Sequence, residues 1–209
     1  MRLFNNAIQP IQITGSNDFV NSLPTSYIAT VARPSFQKNI ESMLRTIAKV
    51  KMSHADVNLV IMDVGHYNPN LESITSMIKS LELQNNVTLV EWQDRQNILE
   101  AIAASAFYIS TARYEGLPYS VIEAMAVGKA LLLTDVDGNR GLVVKGENGF
   151  LVKENEESAL AEKIIYLHTN ISVRAAMGTK SKELFENQHN MLNQIKYLEH
   201  YYMEFSSTN

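Results

Sequence analysis

Short apolar runs alternate with helical patterns through the middle of the chain. Nearly continuous apolar runs are typical of strands covered on both sides, and they predict strands over residues 27–33, 57–64, 87–90, 107–110 and 130–134. Between these runs, apolar residues recur at three- and four-residue steps. This spacing predicts helices over residues 37–52, 71–81 and 118–127, with another helix capped by Asp94. Strands separated by such helices predict right-handed crossovers and a parallel, doubly wound α/β sheet.

The pattern changes near Leu151, after which only helical periodicity continues. We expect helices over about residues 156–167, 173–185 and 189–205. The first 26 residues are interrupted by proline and glycine, which favours a short strand followed by an irregular lead-in. The chain therefore divides into a lead-in over residues 1–26, an α/β domain over residues 27–168 and C-terminal helices over residues 169–209.

Composition excludes several classes of protein. The chain is 45% hydrophobic and 19% charged, as globular domains are, and its net charge of −4 comes without a basic stripe for nucleic acid. The absence of cysteine excludes disulfides, thiolate zinc sites and cysteine nucleophiles, and is consistent with the cytoplasm. No apolar run reaches the ~20 residues that cross a bilayer. We expect any membrane contact to be peripheral, at the inner face of the membrane.

Two glutamates mark the place where a ligand is expected. In open α/β sheets, ligands bind beyond the carboxyl ends of the strands. Glu115 follows the strand at 107–110, and Glu123 lies about one turn into the next helix, so both can face one crevice. Free N–H groups at the start of that helix favour an anion. Carboxylates on either side of an anion site suit a nucleotide-sugar, whose diphosphate lies between two sets of hydroxyl groups.

This stretch resembles a known family. Residues 114–128 (YEGLPYSVIEAMAVG) resemble the paired-glutamate motif of the group-1 retaining glycosyltransferases, which have the two-domain GT-B architecture. Four other segments resemble family features in the same order: a domain-opening strand and Asn-Gly turn (3–8), a Gly-Arg…Lys-Gly signature (32–39), the strand before a base-binding loop (86–90) and a Gly-x-x-Gly-x-Leu-Val hairpin (146–152). The resemblance implies a Rossmann-like domain with a helical C-terminal extension, one half of a GT-B fold.

The resemblance also implies roles for individual residues. Glu115 matches the family's catalytic glutamate near the donor sugar, and Glu123 matches the glutamate that accepts hydrogen bonds from the ribose. Arg33 and Lys38 match the basic pair that clamps the diphosphate. Two fixed cations also stabilise the charge on a leaving nucleoside diphosphate without a metal, each contributing on the order of 3 kcal/mol in the transition state. We therefore expect no cofactor and no metal.

Backbone amides extend the expected donor site. The N–H groups of Gly116, Leu117 and Tyr119 can donate to the diphosphate, whereas Pro118 has none to give. Ala32 and Gly141 depart from the family pattern, which has glycine and often glutamate at these positions. The second departure leaves Arg140 to take over any sugar contact made there.

Three other residues are candidates from their positions alone. Gly65 and His66 lie in a crevice loop, where His66 can reach the donor. Trp92 follows a strand, and it either stacks on the base or packs against its own domain.

The segment Asp135-Val136-Asp137 has two interpretations. A D-x-D sequence after a strand is the metal motif of the other large glycosyltransferase fold, GT-A. Here it precedes Gly138 and stands in place of the family's Asp-x-Gly-Gly turn, so we interpret it as a turn in which Asp satisfies local amides. The five histidines are never paired at ligand spacing, which disfavours a histidine metal site.

The expected reaction is transfer of a sugar from a nucleoside diphosphate donor to a glycan or lipid-linked acceptor, in polysaccharide biosynthesis. In the family, the anomeric configuration is retained and the leaving phosphate takes the acceptor proton, so no nucleophile is assigned. Two other functions stay open: a GT-B-like sugar-nucleotide 2-epimerase and a non-catalytic nucleotide-sugar-binding module. The epimerase needs catalytic acids that we do not identify.

These residues supply no second Rossmann-like domain to bind the acceptor. We expect that domain to be N-terminal in the whole enzyme and the 209 residues to be inactive without it. The last predicted helix is consistent with such a partner, because one of its faces carries an apolar stripe formed by Met191, Ile195, Leu198, Tyr202 and Phe205.

Overall fold

The computed structural model describes residues 6–15, 17–65, 68 and 70–207, without the side chains of Tyr201 and residues 204–207. Its strands are β1 (Ile28–Val31), β2 (Leu59–Met62), β3 (Val87–Val90), β4 (Phe107–Ser110), β5 (Leu131–Thr134) and β6 (Gly149–Val152). Its helices are α1 (Asp18–Asn21), α2 (Ile40–Lys51), α3 (Leu71–Ser80), α4 (Arg95–Ala104), α5 (Tyr119–Ala126), α6 (Asp137–Arg140), α7 (Glu157–Thr169), α8 (Ile171–Gln188) and α9 (Met191–Ser207).

The strands form one parallel sheet in the order β3-β2-β1-β4-β5-β6. In the register, Ile28 of β1 pairs with Leu59 of β2 on one side and with Phe107 of β4 on the other. This is the strand order of a doubly wound Rossmann sheet, so the predicted fold class is confirmed. The direction of winding reverses between β1 and β4. The loops that follow these two strands therefore flank the crevice in which such sheets bind ligands.

Helices cover the sheet on both faces because successive strand residues point to opposite sides. In β2, Leu59 and Ile61 belong to the core beneath α2, α3 and α7, whereas Val60 and Met62 belong to the core beneath α4, α5 and α8. All four β2 residues are buried, which confirms a strand covered on both sides. In α2 the predicted apolar face is also confirmed, since Ile40, Met43, Leu44 and Ile47 are fully buried.

The structure differs from the sequence-based expectation at β6 and in the lead-in, among other places. Residues 149–152 form no hairpin; they are strand β6, which pairs in parallel with β5 at the edge of the sheet. The lead-in contains a short helix, α1, which we did not predict; Asn17 caps it by accepting a hydrogen bond from the Val20 amide. Of the expected domain-opening segment, residues 3–5 lie outside the described residues.

The lead-in and the C-terminal helices meet at one point. The Ile8 amide donates to the His189 carbonyl at 2.9 Å, and the Met191 amide donates back to the Ile8 carbonyl at 2.9 Å. Beyond this junction, α9 carries the predicted apolar stripe, in which Ile195 and Tyr202 are exposed and Leu198 is half-buried. The Phe205 side chain is outside the described part. Among the described helices, none combines the length and the apolar character that crossing a bilayer requires.

Candidate functional site

Two loops meet at the carboxyl ends of β1 and β4. The Thr111 hydroxyl, just past β4, donates to the Asn39 carbonyl at 2.9 Å, and the Arg113 amide donates to the Gln37 carbonyl at 2.8 Å. These bonds fix the loop that precedes α2 against the loop that precedes α5. As a result, the side chains of residues 33–38 lie next to those of residues 115–120, although the two segments are far apart in sequence.

A cavity of about 470 Å³ opens between these loops. Its lining includes five predicted donor-site residues: Arg33, Lys38, Glu115, Leu117 and Tyr119. From the sequence, Glu115 and Glu123 are expected to face one crevice, whereas only Glu115 of the two lines this cavity. Their roles toward a donor stay predictions.

The Lys38 ammonium and the Glu115 carboxylate form the central pair of this cavity, with Nζ 2.6 Å from Oε1. The Glu115 side chain is only 8% exposed, and Lys38 is 24% exposed. Gln37 supports the same carboxylate, since its side-chain amide lies 3.4 Å from Oε2 and donates to the Tyr114 carbonyl at 3.1 Å. A buried carboxylate held by two neighbours has a defined orientation, which a group that acts on a bound sugar needs.

Arg33 makes a looser pair across the same cavity. Its Nε lies 3.1 Å from Asp63 Oδ2, and its side chain is 70% exposed. Exposed ion pairs of this kind contribute about 0–1 kcal/mol, so Arg33 can change partner at little cost. Asp63 itself has a left-handed backbone, with φ of 61°, which turns the chain sharply at the end of β2.

Glu123 lines a neighbouring cavity of about 520 Å³, together with Arg95 and Tyr119. Tyr119 lines both cavities, so the two glutamates lie on either side of this residue. The Arg95 guanidinium donates from Nε at 3.1 Å and from Nη2 at 3.0 Å to Glu123 Oε1. Burial raises the pKa of Glu123, and the hydrogen bonds and charge of Arg95 oppose that rise. Among the described residues, no protein donor contacts the second oxygen, Oε2, which leaves it available to a ligand hydroxyl.

The start of α5 lies between the glutamates. In the described chain, the amides of Gly116, Leu117 and Tyr119 donate to no protein acceptor, which leaves them for an anion. Gly138 of α6 packs directly against this loop. A Cβ on Gly138 would come within 2.4 Å of the carbonyl oxygens of both Glu115 and Gly116, so only glycine permits this approach.

Of the other predicted donor-site residues, Gly65 and Trp92 line neither of these two cavities. His66 is outside the described residues. Gly65 has φ of 80°, a backbone conformation that favours glycine. Trp92 is 71% exposed, and it lines neither cavity.

Arg140 contacts the two aspartates of the D-x-D segment. Its guanidinium lies 2.6 Å from Asp135 and 2.7 Å from Asp137, so both carboxylates already have a cation partner. This pairing favours the local interpretation of the D-x-D sequence. Among the residues with described coordinates, no group of three or more His, Asp or Glu side chains is placed to hold a metal ion.

Three residues of the site were not assigned from the sequence. Gln37 lies within the signature at residues 32–39, but no role was assigned to it. Asp63 lies at the end of an apolar run, and Arg95 follows the predicted cap Asp94. Position alone gives a weak signal, because charged residues at strand ends and in first helical turns are common. Their partners lie 28–78 residues away along the chain, so only the assembled sheet shows them.

The fold and the site define a class of protein, the glycosyltransferases of GT-B fold, and comparison with known proteins supports it. Residues 17–184 match the family model of the glycosyl transferases group 1. The chain therefore belongs to the group 1 glycosyltransferase family. An uncharacterised glycosyltransferase of Methanocaldococcus jannaschii is 30% identical over 150 residues, which is 70% of this chain and 39% of the relative. The chain thus spans about two fifths of that protein's length.

Solved glycosyltransferase structures share the fold. A mutant of S. aureus TarM, in complex with fondaparinux, alpha-GlcNAc-glycerol and UDP, superposes with a TM-score of 0.77 at 23% identity, covering 94% of this chain and 38% of TarM. Anabaena HepE, in complex with UDP and glucose, gives a TM-score of 0.80 at 16% identity over 97% of this chain and 56% of HepE.

Proposed function

We propose that this chain is the donor-binding domain of a retaining glycosyltransferase that takes its sugar from a nucleoside diphosphate. The observation that carries the proposal is the arrangement of Arg33, Lys38 and Glu115 around one cavity, beside the free amides at the start of α5. It supplies both cations for a diphosphate and a buried carboxylate for a sugar hydroxyl. The solved structures of TarM and HepE contain UDP, which makes uridine the first base to test.

In the proposed complex, both cations contact the diphosphate. Arg33 is exposed and weakly paired, so it can turn from Asp63 to a phosphate oxygen. Lys38 has three N–H donors and uses one on Glu115, so it can hold the carboxylate and a phosphate together. The cations then stabilise the charge that develops on the leaving diphosphate, and the donor site needs no metal.

Glu123 binds the ribose in this proposal. Arg95 holds one carboxylate oxygen, which fixes the side chain and leaves the other oxygen to accept from ribose hydroxyls. Hydrogen bonds to a charged group contribute roughly 1.5–3 kcal/mol each. Glu115 lies on the far side of Tyr119, toward the cations, where the donor sugar follows the diphosphate.

The acceptor half of the reaction is assigned by family analogy. The acceptor is a glycan or lipid-linked glycan, held by an N-terminal domain that faces the donor crevice. That domain also covers the exposed apolar residues of α9, such as Ile195 and Tyr202. A crevice open on one side neither orients an acceptor nor excludes water, so these residues alone transfer no sugar.

Calorimetry with UDP tests the ribose assignment. Glu123→Ala is expected to weaken UDP binding by about 10- to 100-fold, which corresponds to the ~1.5–3 kcal/mol of the lost hydrogen bonds. A 2′,3′-dideoxyribose analogue of UDP lacks the hydroxyls, so it should bind wild type and variant alike. Glu162→Ala, an exposed glutamate on α7, is the matched control and should bind UDP normally.

The same titrations with EDTA or Mn²⁺ test the metal-free clamp, and affinity should not change. Unchanged UDP affinity in Glu123→Ala contradicts the ribose role. Metal-dependent affinity that is lost in Asp135→Ala would instead support a GT-A-like metal site. If the chain binds GDP or ADP instead of UDP, the donor has a different base, and the proposed site is unchanged.

A further inference from the structure

A second, larger cavity lies at the opposite end of the sheet. It has a volume of about 750 Å³ and lies between the loops that precede β1, β4 and β5 and one side of α8, from Ile171 to Glu186. Its lining includes Lys129, Arg174 and Lys182, together with two glutamates, Glu183 and Glu186. It lies beyond the amino ends of the strands, so it is separate from the proposed donor site.

Lys129 is held in place by the end of α5. Gly128 takes a left-handed conformation with φ of 71°, its amide bonds to the Met125 carbonyl, and the Lys129 amide bonds to the Ala124 carbonyl. This is a Schellman motif, which fixes the residue that follows the helix. The Lys129 ammonium then donates to the Ser105 carbonyl at 2.8 Å. One of its three N–H groups is used in this way, and in the described structure Lys129 forms no ion pair.

Among the described residues, the two glutamates of this cavity form no ion pair with its three cations. Glu183 pairs with Lys180 at 3.0 Å, and the Glu186 carboxylate accepts from Asn190. Lys182 makes no ion pair with a described residue, and its Cβ is 4.0 Å from where a Cβ on Gly128 would lie. Burial and the nearby charge of Arg174 lower the pKa of Lys129 to about 8. Burial and neighbouring cations destabilise the charged form of a lysine, and a bound anion stabilises it.

We propose that this cavity is a second ligand site, which binds a phosphate monoester through Lys129, Arg174 and Lys182. The volume exceeds what a lone phosphate fills, and Thr25, Ser26 and Thr179 are also among the residues that line the cavity. A hydroxylated body, such as a sugar, suits that lining. The ligand class is therefore a small sugar phosphate, and the site is independent of the proposed donor reaction.

Calorimetric titration of the whole chain with ribose 5-phosphate tests this proposal, with ribose as the uncharged control. Ribose 5-phosphate should bind at pH 7 and ribose should not. Its phosphate is a dianion at pH 7.5 and above, since its second pKa is about 6, so any further change with pH belongs to the protein. The titratable and charged groups at the cavity are Lys129, Arg174, Lys182, Glu183 and Glu186, and burial lowers the pKa of Lys129.

An anion favours protonated Lys129, so affinity should fall by about tenfold between pH 7.5 and pH 9.5 as that proton is lost. Lys182→Ala should weaken binding about tenfold at pH 7.5, and Lys129→Met should weaken it and remove the pH dependence. Lys79→Ala, an exposed lysine on α3, is the matched control and should bind normally. Arg33→Ala separates this site from the donor site and should also bind normally.

Absence of binding at millimolar ribose 5-phosphate overturns the proposal. So does binding that Arg33→Ala abolishes, because the ligand would then occupy the donor crevice. Affinity that neither Lys182→Ala nor Lys129→Met changes overturns it as well. UDP binding should be normal in Lys182→Ala, so failure here is distinguishable from failure of the proposed donor site.

Discussion

At both ends of the sheet, a glycine allows two backbone segments to pack closely, but the two ends differ in how their cations are paired. At each end, a glycine lets one backbone segment approach another: Gly138 meets the Glu115–Gly116 loop, and Gly178 of α8 meets Gly128. At the carboxyl end, Lys38 and Arg33 each have a carboxylate partner. At the amino end, Lys129 has only a carbonyl.

This difference indicates what each end is arranged to do. In the proposed donor complex, Arg33 at the carboxyl end exchanges Asp63 for a phosphate, which the weak pairing of an exposed cation allows. The two glycine contacts also differ in surroundings. Gly178 joins a long helix to the core, whereas Gly138 belongs to a four-residue helix between loops. We therefore expect strain at Gly178 to reduce stability and strain at Gly138 to reduce binding.

The largest effect is expected for Gly178→Ala. The new Cβ would lie 2.2 Å from the Gly128 carbonyl oxygen, a distance at which α8 must move away from α5. A contact this short with a backbone oxygen costs about 3 kcal/mol, the upper end of the range for overpacking, against the ~1 kcal/mol that alanine gains over glycine in a helix. Urea unfolding should show a net loss of about 2 kcal/mol. Thr179→Ala, the exposed neighbouring position, is the control. A Gly178→Ala variant as stable as wild type would contradict the close approach.

A smaller stability effect and a clear binding effect are expected for Gly138→Ala. Its Cβ would lie 2.4 Å from the carbonyl oxygens of Glu115 and Gly116, and these loops can shift to relieve the clash. The shift displaces the carboxylate and the free amides, so UDP affinity should fall about tenfold while unfolding free energy falls by about 1 kcal/mol. Gly141→Ala is the matched control, because nothing lies within 4 Å of a Cβ there. Equal UDP affinity in both variants would show that α6 does not position the Glu115 loop.

The smallest effect is expected for Asn39→Gly, which should stabilise the protein. Asn39 is fully buried with φ of 49°, and its side-chain nitrogen and oxygen have no hydrogen-bond partner among the described residues. Glycine removes both the left-handed strain and the unsatisfied amide but adds entropy to the unfolded chain, for a net gain of about 0.5–1 kcal/mol. The melting temperature should rise by about 1–4 °C. Asn155→Gly, which is also left-handed but exposed, is the control and should gain less. A lower melting temperature for Asn39→Gly would contradict this explanation.

Local features of the fold were accessible from the sequence. Strands β3 and β4 have the predicted bounds, and Asp94 caps α4 as predicted, with its carboxylate accepting from the Asn97 amide at 2.8 Å. Each depends on burial or on contacts within one turn. Strand β6 was misjudged as a hairpin because its partner, β5, precedes it by a connection that itself contains α6. A short run of apolar residues does not show which neighbour it will pair with.

The candidate site divides in the same way. The types and approximate positions of Arg33, Lys38, Glu115 and Glu123 came from a recognisable pattern, and the first three line one cavity. The residues that orient these side chains could not be identified from that pattern. The pairing of Glu123 with Arg95 depends on α4 and α5 lying side by side, and nothing in either helix alone indicates it. Sequence thus predicts which groups are present, whereas tertiary packing determines their electrostatics.

The junction between Ile8 and residues 189–191 has a topological consequence. Two backbone hydrogen bonds of 2.9 Å hold these positions side by side, although they lie at opposite ends of the α/β fold in sequence. A short peptide could therefore join them without stretching the chain. New ends could be opened at the exposed turn around residues 144–147. The fold should therefore tolerate circular permutation, and a permuted chain that begins at β6 should form the same sheet.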